Sequence, residues 1–351
     1  MSRSTAAVES EPTGTEPPAP GTGAGRYDWP RLGLKVIGIG PALMLVGVVA
    51  LAASLSPVFL TTRNLGNVLS QTAVIAILAL AQLLVIITRG IDLSVGSTMA
   101  LAAVVGALVF ESVPSGTLVI LAILGTGMAV GAANGAAFVW GRLPHPFIVT
   151  LATLSIARGL ALWLSGGQPK RGMPEVIQSV GGGSIGWLPY STLLVAGLAL
   201  AALLLTSRLV WGGWIYAVGG NPEGARRAAI PVKGVLVSVY VLSGLAAGLA
   251  ALVTAGRLNA GSPTFGELAE LDAIAAVVIG GASFLGGRGN VGNALIGALM
   301  IGVIRNGMNL LNVDAFLQPI VIGVVILVAV QLDVLRGALE KRFQVMQAAR
   351  S

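Results

Sequence analysis

The 351-residue chain is 55% apolar and 10% charged, with a mean hydropathy of +0.88, whereas soluble domains carry about 25% charged residues. This composition excludes an ordinary soluble enzyme and predicts an all-α integral membrane protein. Cysteine is absent, which excludes disulfides, thiolate metal sites and catalytic thiols. The net charge is +7. The Lys and Arg residues fall in short gaps between apolar runs, a pattern that orients helices in a bilayer and does not indicate nucleic-acid binding.

Ten apolar segments are long enough to cross a membrane, because a spanning helix needs about 20 mostly apolar residues. Residues 1–30 are rich in Pro, Gly, Ser, Thr and Glu and are predicted to form a disordered tail. Residues 31–336 form the predicted transmembrane domain, and residues 337–351 a second tail. The predicted spans are 36–57, 67–88, 93–111, 117–140, 146–165, 188–206, 233–256, 271–287, 291–308 and 315–333.

Basic residues predict the orientation of these spans. With the N-terminus inside, fifteen Lys and Arg residues fall in cytoplasmic segments. Five fall outside, namely Arg63, Lys170, Arg171, Arg257 and Arg305. Since cytoplasmic loops carry the excess of positive charge, both tails are predicted to be cytoplasmic.

The stretch TRGIDLSVGS, residues 88–97, places charge between two apolar runs. In one interpretation Asp92 lies at the membrane interface and stabilises the start of the next helix. In the other, Gly90 breaks a helix, and Asp92 and Ser94 line a polar path for solute. A charge at the bilayer centre costs about 3 kcal/mol on insertion scales, so both interpretations require a paired or hydrated carboxylate, and both stay open.

Other polar residues within the predicted spans are candidates for helix–helix hydrogen bonds or for lining the same path. Asn134 and Asn306 are the preferred pair for the path. The run GAANGAAF around Asn134 also predicts close helix packing, because small residues let backbones approach. The whole set is Gln71, Gln82, Asn134, Arg158, Asn306 and Asn309.

Two connections are longer than the others. Residues 165–187 are Gly-rich and polar and are predicted to form an external surface loop. Residues 207–232 form a cytoplasmic loop in which Asn221 is a good N-cap and Pro222 suits the first helical position. A short helix is therefore predicted from Asn221 to before Pro231. This basic loop either fixes the topology only or docks a cytoplasmic partner through its arginines.

A weak internal repeat relates two parts of the chain. Shifting the sequence by 196 positions aligns Gly90 with Gly286 and Asp92 with Arg288. Transporters are often built from related halves with working sites at their interface. We therefore hypothesise that Asp92 and Arg288 occupy equivalent helix breaks and approach one another.

The chain offers no set of residues for chemistry. It has one histidine and scattered carboxylates, which make no metal-ligand cluster. No serine is placed with a histidine and an acid as in hydrolases, and no Gly-rich loop ends in Lys-Ser or Lys-Thr to bind ATP. We expect no catalytic residue, no metal and no cofactor in this chain, and a transport role in which another subunit or an ion gradient supplies energy.

Four motifs occur in an order that resembles the permease subunits of bacterial ABC importers for ribose, xylose and related sugars, a branch related to branched-chain amino acid permeases. They are GIDLSVGS at 90–97, GGNPEGARRAAI at 219–230, ELDAIAAVVIGGASFLGG at 270–287 and NGMNLL at 306–311. The resemblance extends from about residue 35 to 335.

The resemblance implies a ten-helix permease in a bacterial inner membrane that works as a homodimer. Its partners would be a cytoplasmic ABC ATPase, which binds ATP and magnesium, and an external sugar-binding protein. The cytoplasmic loop would hold the coupling helix that contacts the ATPase. Relatives often have Leu-Ser-Gly after the arginine, where this chain has Arg227, Ala228 and Ala229. The coupling residues that the motif implies are Gly220, Asn221, Glu223, Ala225, Arg226 and Ile230, and Arg227 adjoins them.

The main alternative is an ion-coupled secondary transporter of a small polar solute that works alone. Such a carrier needs buried cation ligands near the membrane midplane, and Asp92 is the one acidic residue that the sequence places convincingly there. The sequence does not identify the sugar.

Overall fold

The computed structural model describes residues 29–328, 330 and 331, with side chains from residue 40 onward. The predicted tails, 1–30 and 337–351, lie outside the described residues apart from the first two residues of α1. The helices are α1 (Trp29–Leu55), α2 (Thr62–Ile87), α3 (Val95–Ser112), α4 (Gly116–Trp140), α5 (Pro146–Ser165), α6 (Glu175–Gly182), α7 (Tyr190–Arg208), α8 (Val210–Gly220), α9 (Pro222–Arg227), α10 (Val232–Leu258), α11 (Ala269–Ile279), α12 (Val291–Leu310) and α13 (Gln318–Val328).

Two short antiparallel strand pairs accompany the helices. Strand β1 (Lys170–Arg171) pairs with β4 (Ala260–Gly261), and β2 (Ser184–Ile185) pairs with β3 (Leu188–Pro189). The first pair joins the connection after α5 to the connection after α10. The described chain is mostly helical, as the composition predicts.

Seven helices in the described part of the chain are long and apolar enough to cross a membrane, so the predicted count of ten is not confirmed. These seven are α2, α3, α4, α5, α7, α10 and α12. The apolar stretches Gly40–Leu55 and Gln318–Val328, at the ends of the described region, are shorter.

Helix α2 lies at the centre of the bundle and is buried along most of its length. It packs against α10, α11 and α12. Helix α7, in contrast, has one fully buried residue, Ser191, and presents Leu193, Leu200 and Leu203 outward. Because lipid tails are as apolar as leucine, this exposed face suits the hydrocarbon of a bilayer.

Helices α4 and α10 cross with their backbones in contact. A Cβ atom placed on Gly127 would lie 2.2 Å from the Gly244 carbonyl oxygen, and one on Gly131 would lie 2.2 Å from the Tyr240 carbonyl oxygen. Gly135, inside the GAANGAAF run, would meet the backbone of Val237. The predicted close packing around Asn134 is therefore confirmed.

The predicted span 271–287 is wrong. Helix α11 ends at Ile279, and at about 1.5 Å per residue its 11 residues cover only half of a bilayer. Gly281, Gly286 and Gly287 follow with φ of 82°, 79° and 71°, a region that glycine adopts without strain. A broken helix at membrane depth is tolerated where protein or a water-filled cavity surrounds it.

The predicted surface loop 165–187 is partly buried. It contains α6, whose Ile177 is fully buried. Gly256 of α10 approaches this helix so closely that an added Cβ would lie 2.0 Å from the Ile177 carbonyl oxygen. The apolar face of EVIQSVGG explains the difference, because Val and Ile in a Gly-rich segment can still bury a short helix against a neighbour.

Candidate functional site

The chain between α2 and α3 forms a buried helix break. Arg89 has a φ of 66°, and the Gly90 N–H donates to the Val85 carbonyl oxygen at 2.9 Å. A Cβ on Gly90 would lie 2.6 Å from the Tyr240 hydroxyl. The break therefore needs glycine at position 90, as the sequence suggests.

A cluster of buried polar side chains surrounds this break and is termed the Asp92 cluster. Asp92 is 1% exposed. Its Oδ1 accepts from the Ser94 N–H at 2.9 Å and from the Ser94 hydroxyl at 2.7 Å. Its Oδ2 accepts from the Ser243 hydroxyl at 2.7 Å. Asn134 donates to Ser94 Oγ at 2.8 Å and accepts from Thr153 at 2.6 Å. The cluster thus joins α4, α5 and α10 to the break.

The weak repeat suggested that Asp92 and Arg288 approach one another. The Asp92 carboxylate instead accepts from the hydroxyls of Ser94 and Ser243. Arg288 lies on the loop after α11, with its side chain exposed. Burial raises the pKa of the Asp92 carboxyl, and the hydrogen bonds from Ser94 and Ser243 lower it. The Gln82 amide, oriented so that both of its atoms are satisfied, pairs with the Asp92 backbone N–H and carbonyl at 3.2 and 3.3 Å. Gln82, Asp92, Ser94 and Asn134 therefore meet in one network.

Replacing Ser243 with alanine should destabilise the protein by about 1–3 kcal/mol, because Asp92 Oδ2 loses its hydroxyl donor inside the bundle. The loss should be larger in alkaline than in acidic buffer, since removing this donor raises the pKa further and penalises only the ionised carboxylate. Thermal unfolding of the purified protein measures both effects. The matched control is Ser207→Ala on exposed α7, and an equal loss in both variants would contradict the prediction.

A cavity of about 490 Å³, termed the charged cavity, opens among the starts of α2, α11 and α13 and the ends of α10 and α12. It contains two of the predicted path residues, Gln71 and Asn309. The Asn309 amide oxygen accepts from Gln318 at 2.8 Å. The polar lining residues are Asn67, Ser70, Gln71, Thr254, Arg257, Asp272, Arg305, Asn309 and Gln318.

An ion pair forms one wall of the charged cavity. Arg305 Nη2 lies 2.7 and 2.8 Å from the two carboxylate oxygens of Asp272, and the Asp272 side chain is 8% exposed. The sequence-based count placed Arg305 and Arg257 in external segments; Arg305 lies within α12, and Arg257 is exposed in the last turn of α10. The sequence gives no local signal for this pair, because Asp272 and Arg305 are 33 positions apart in different helices.

A second opening adjoins the charged cavity and is termed the glycine groove. Its volume is about 270 Å³, and it shares Asn67 and Ser70 with the cavity. Residues 181–184 and 186–187, from the connection predicted to be external, form its other wall. The long connection thus reaches the cavity.

The remaining polar candidates make structural contacts. Asn306 exchanges two hydrogen bonds of 2.9 Å with Asn64 of α2. Arg158 donates to the carbonyl oxygens of Pro263 and Phe265 and so holds the loop before α11. Asn134 and Asn306, the preferred pair for the path, have different partners, and both are buried.

The predicted short helix is confirmed as α9, although it ends at Arg227. Asn221 caps it by accepting from the Gly224 N–H at 2.9 Å. Ala225 is buried against the core, which holds the helix on the bundle. Its outer face is charged, and the side chains of Glu223, Arg226 and Arg227 are 59%, 67% and 81% exposed.

Three backbone segments meet directly before α9, at a contact termed the glycine junction (Ile87–Arg89, Gly219–Gly220 and Gly286–Gly287). Arg89 donates to the carbonyl oxygens of Gly219 and Gly220 at 2.5 Å. The Gly287 N–H donates to the Ile87 carbonyl oxygen at 2.8 Å. The glycine junction and the charged cavity lie at opposite ends of α2, so this helix connects α9 to the cavity.

Comparison with known proteins gives matches over most of the chain. Residues 64–330 match the family model described as branched-chain amino acid transport system / permease component. The ribose import permease protein RbsC of Escherichia coli (strain K12) is 40% identical over 295 residues, which is 83% of this chain and 92% of the relative.

Two further relatives are named for the transport of other sugars. The D-allose transport system permease protein AlsC of Escherichia coli (strain K12) is 38% identical, over 84% of this chain and 90% of the relative. The fructose import permease protein FrcC of Rhizobium meliloti is 36% identical, over 84% of each chain. No solved structure is significantly similar to this chain.

Proposed function

The chain belongs to the family of branched-chain amino acid transport system permease components, and on this premise we propose that it is the membrane-spanning subunit of an ATP-driven ABC importer for a monosaccharide. The observation that carries the proposal is the 36–40% identity to import permeases for ribose, allose and fructose over most of both chains. This subunit supplies the path and the coupling surface. ATP and magnesium bind to a separate ATPase.

Helix α9 is the proposed contact with that ATPase. Its capped, anchored backbone presents two arginines and a glutamate on an exposed face, and arginine is enriched at protein interfaces. A force on α9 reaches the end of α2 through Gly219, Gly220 and Arg89. The residues proposed for coupling are Gly220, Asn221, Glu223, Ala225, Arg226, Arg227 and Ile230.

The solute path is proposed to enter at the glycine groove and to pass through the charged cavity. An external binding protein would contact the connection 165–187, which borders the groove. A second copy of the chain would complete the path as a homodimer. Both termini are proposed to be cytoplasmic, because the sequence-based count of Lys and Arg residues favours that side by fifteen to five.

The ion-coupled alternative would rest on Glu270, a buried carboxylate whose Oε2 has no hydrogen-bond partner among the described residues. Asp92 is bonded to two serines, and Asp272 is paired with Arg305. In the described chain no three His, Cys, Asp or Glu side chains come together as cation ligands.

The proposal is tested by ATPase activity of the permease reconstituted in lipid with its ATPase. Sugar-loaded binding protein should stimulate the wild type, and Arg226→Glu should reduce this stimulation at least about tenfold, because it reverses charge at an interface arginine. The control is Arg142→Glu, an exposed arginine in the connection after α4. Absence of stimulation in the wild type, with uptake driven by an ion gradient, would overturn the proposal.

A further inference from the structure

The charged cavity contains hydrogen-bonding groups that the protein leaves unused. Thr254 lines it and is 6% exposed, and its hydroxyl has no hydrogen-bond partner among the described residues. Arg305 Nε has none there either. Both atoms are covered in this conformation. Because buried polar groups are nearly always bonded, a small movement of the wall toward a polar occupant or water would satisfy them.

The charged residues of the cavity also indicate a polar occupant. Ionisable residues inside a membrane domain are expensive and usually functional, and a buried ion pair is weak evidence for stability. Asp272 and Arg305 are held together at the wall. Arg257 also lines the cavity, and the described residues offer it no acidic partner. One carboxylate against two guanidinium groups disfavours a cation as occupant.

The donor and acceptor set matches a ring that carries several hydroxyl groups. Guanidinium groups only donate and a carboxylate only accepts, whereas a hydroxyl does both. The side chains that line the cavity in the described chain include no aromatic ring, so the stacking surface of a tight sugar site is missing. A branched aliphatic amino acid offers its α-carboxylate and α-ammonium to the charged residues, but its apolar side chain would face the amides and hydroxyls of the wall without bonding to them.

We infer that the charged cavity is a weak transit site for a neutral polyhydroxylated ring, in which Arg257 and Arg305 donate to solute hydroxyls and Asp272 accepts from one. The inference rests on the proposed function, since it names the step at which the released sugar is held inside the permease. Arg257 is the specificity-determining residue, because its guanidinium has no acidic partner among the described residues.

The test uses the assembled transporter in lipid nanodiscs without binding protein. Saturation-transfer NMR with D-ribose as probe should give a signal that L-leucine does not give. Arg257→Gln should weaken the D-ribose signal at least about tenfold, and Arg257→Lys should restore part of it. The matched control is Arg171→Gln, an exposed arginine in β1 that does not line the cavity.

A second measurement separates binding from folding and assembly. With sugar-loaded binding protein, Arg257→Gln should keep the stimulated ATPase activity but move less sugar for each ATP hydrolysed. Equal D-ribose signals in wild type and Arg257→Gln, with ATPase stimulation intact, would overturn this inference and leave the proposed function standing. A wild type that no loaded binding protein stimulates would overturn both.

Discussion

Replacing Gly219 with alanine is expected to abolish stimulation of the partner ATPase by the binding protein. A Cβ at this position would lie 1.7 Å from the Ile87 carbonyl oxygen and 2.7 Å from the Gly287 nitrogen. Those two atoms form the hydrogen bond that closes the glycine junction. The methyl group therefore forces the three backbone segments apart, and no side-chain rotation can relieve the contact.

Gly219→Ala should lower the free energy of unfolding by more than the ordinary penalty of overpacking, which is about 1–3 kcal/mol, because the colliding atoms belong to the backbone. Thermal unfolding and stimulated ATPase activity should fall together. Gly213→Ala is the matched control in the same helix, since nothing lies within 4 Å of a Cβ there. Normal stimulation in Gly219→Ala would show that force from α9 does not pass through this junction.

Local chemistry explains what could be predicted near this junction. Asn221, Pro222 and Pro231 set the capping and the limits of α9 through contacts within a few residues, so the sequence predicted the helix. The sequence also predicted the break after α2 from Gly90, although the left-handed residue there is Arg89. The limits of α9 depend on neighbouring residues, whereas the break also involves α10, because a Cβ on Gly90 would meet the Tyr240 hydroxyl.

Long-range contacts explain what was missed. The apolar composition of 271–287 resembles a span, but Gly281, Gly286 and Gly287 bend the chain back to α2 and α8. Asp272 and Arg305 lie near helix ends, where charges normally meet water, and only the fold shows that they face each other. Ser243, the second partner of Asp92, is separated from it by 151 positions.

The substitution with the largest expected effect on folding is Gly127→Leu. The backbones of α4 and α10 touch here, because a Cβ on Gly127 would lie 2.2 Å from the Gly244 carbonyl oxygen and one on Gly244 would lie 2.1 Å from the Gly127 carbonyl oxygen. Helix association in lipid depends on such close packing, since hydrocarbon supplies no hydrophobic drive between helices. A leucine must separate two helices that also hold Asn134 and Ser243 against the break at Asp92.

We therefore expect Gly127→Leu to remove the folded peak in size-exclusion chromatography of the detergent-extracted protein, and to lower the unfolding temperature of any protein that remains. Gly125→Leu, two residues away on the exposed face of the same helix, has nothing within 4 Å of its Cβ and should elute as the wild type does. The comparison holds residue type, helix and depth constant, so a difference reports the helix contact alone. Equal behaviour of the two variants would mean that α4 and α10 do not approach this closely in the membrane, and that the Asp92 cluster is held together by its hydrogen bonds.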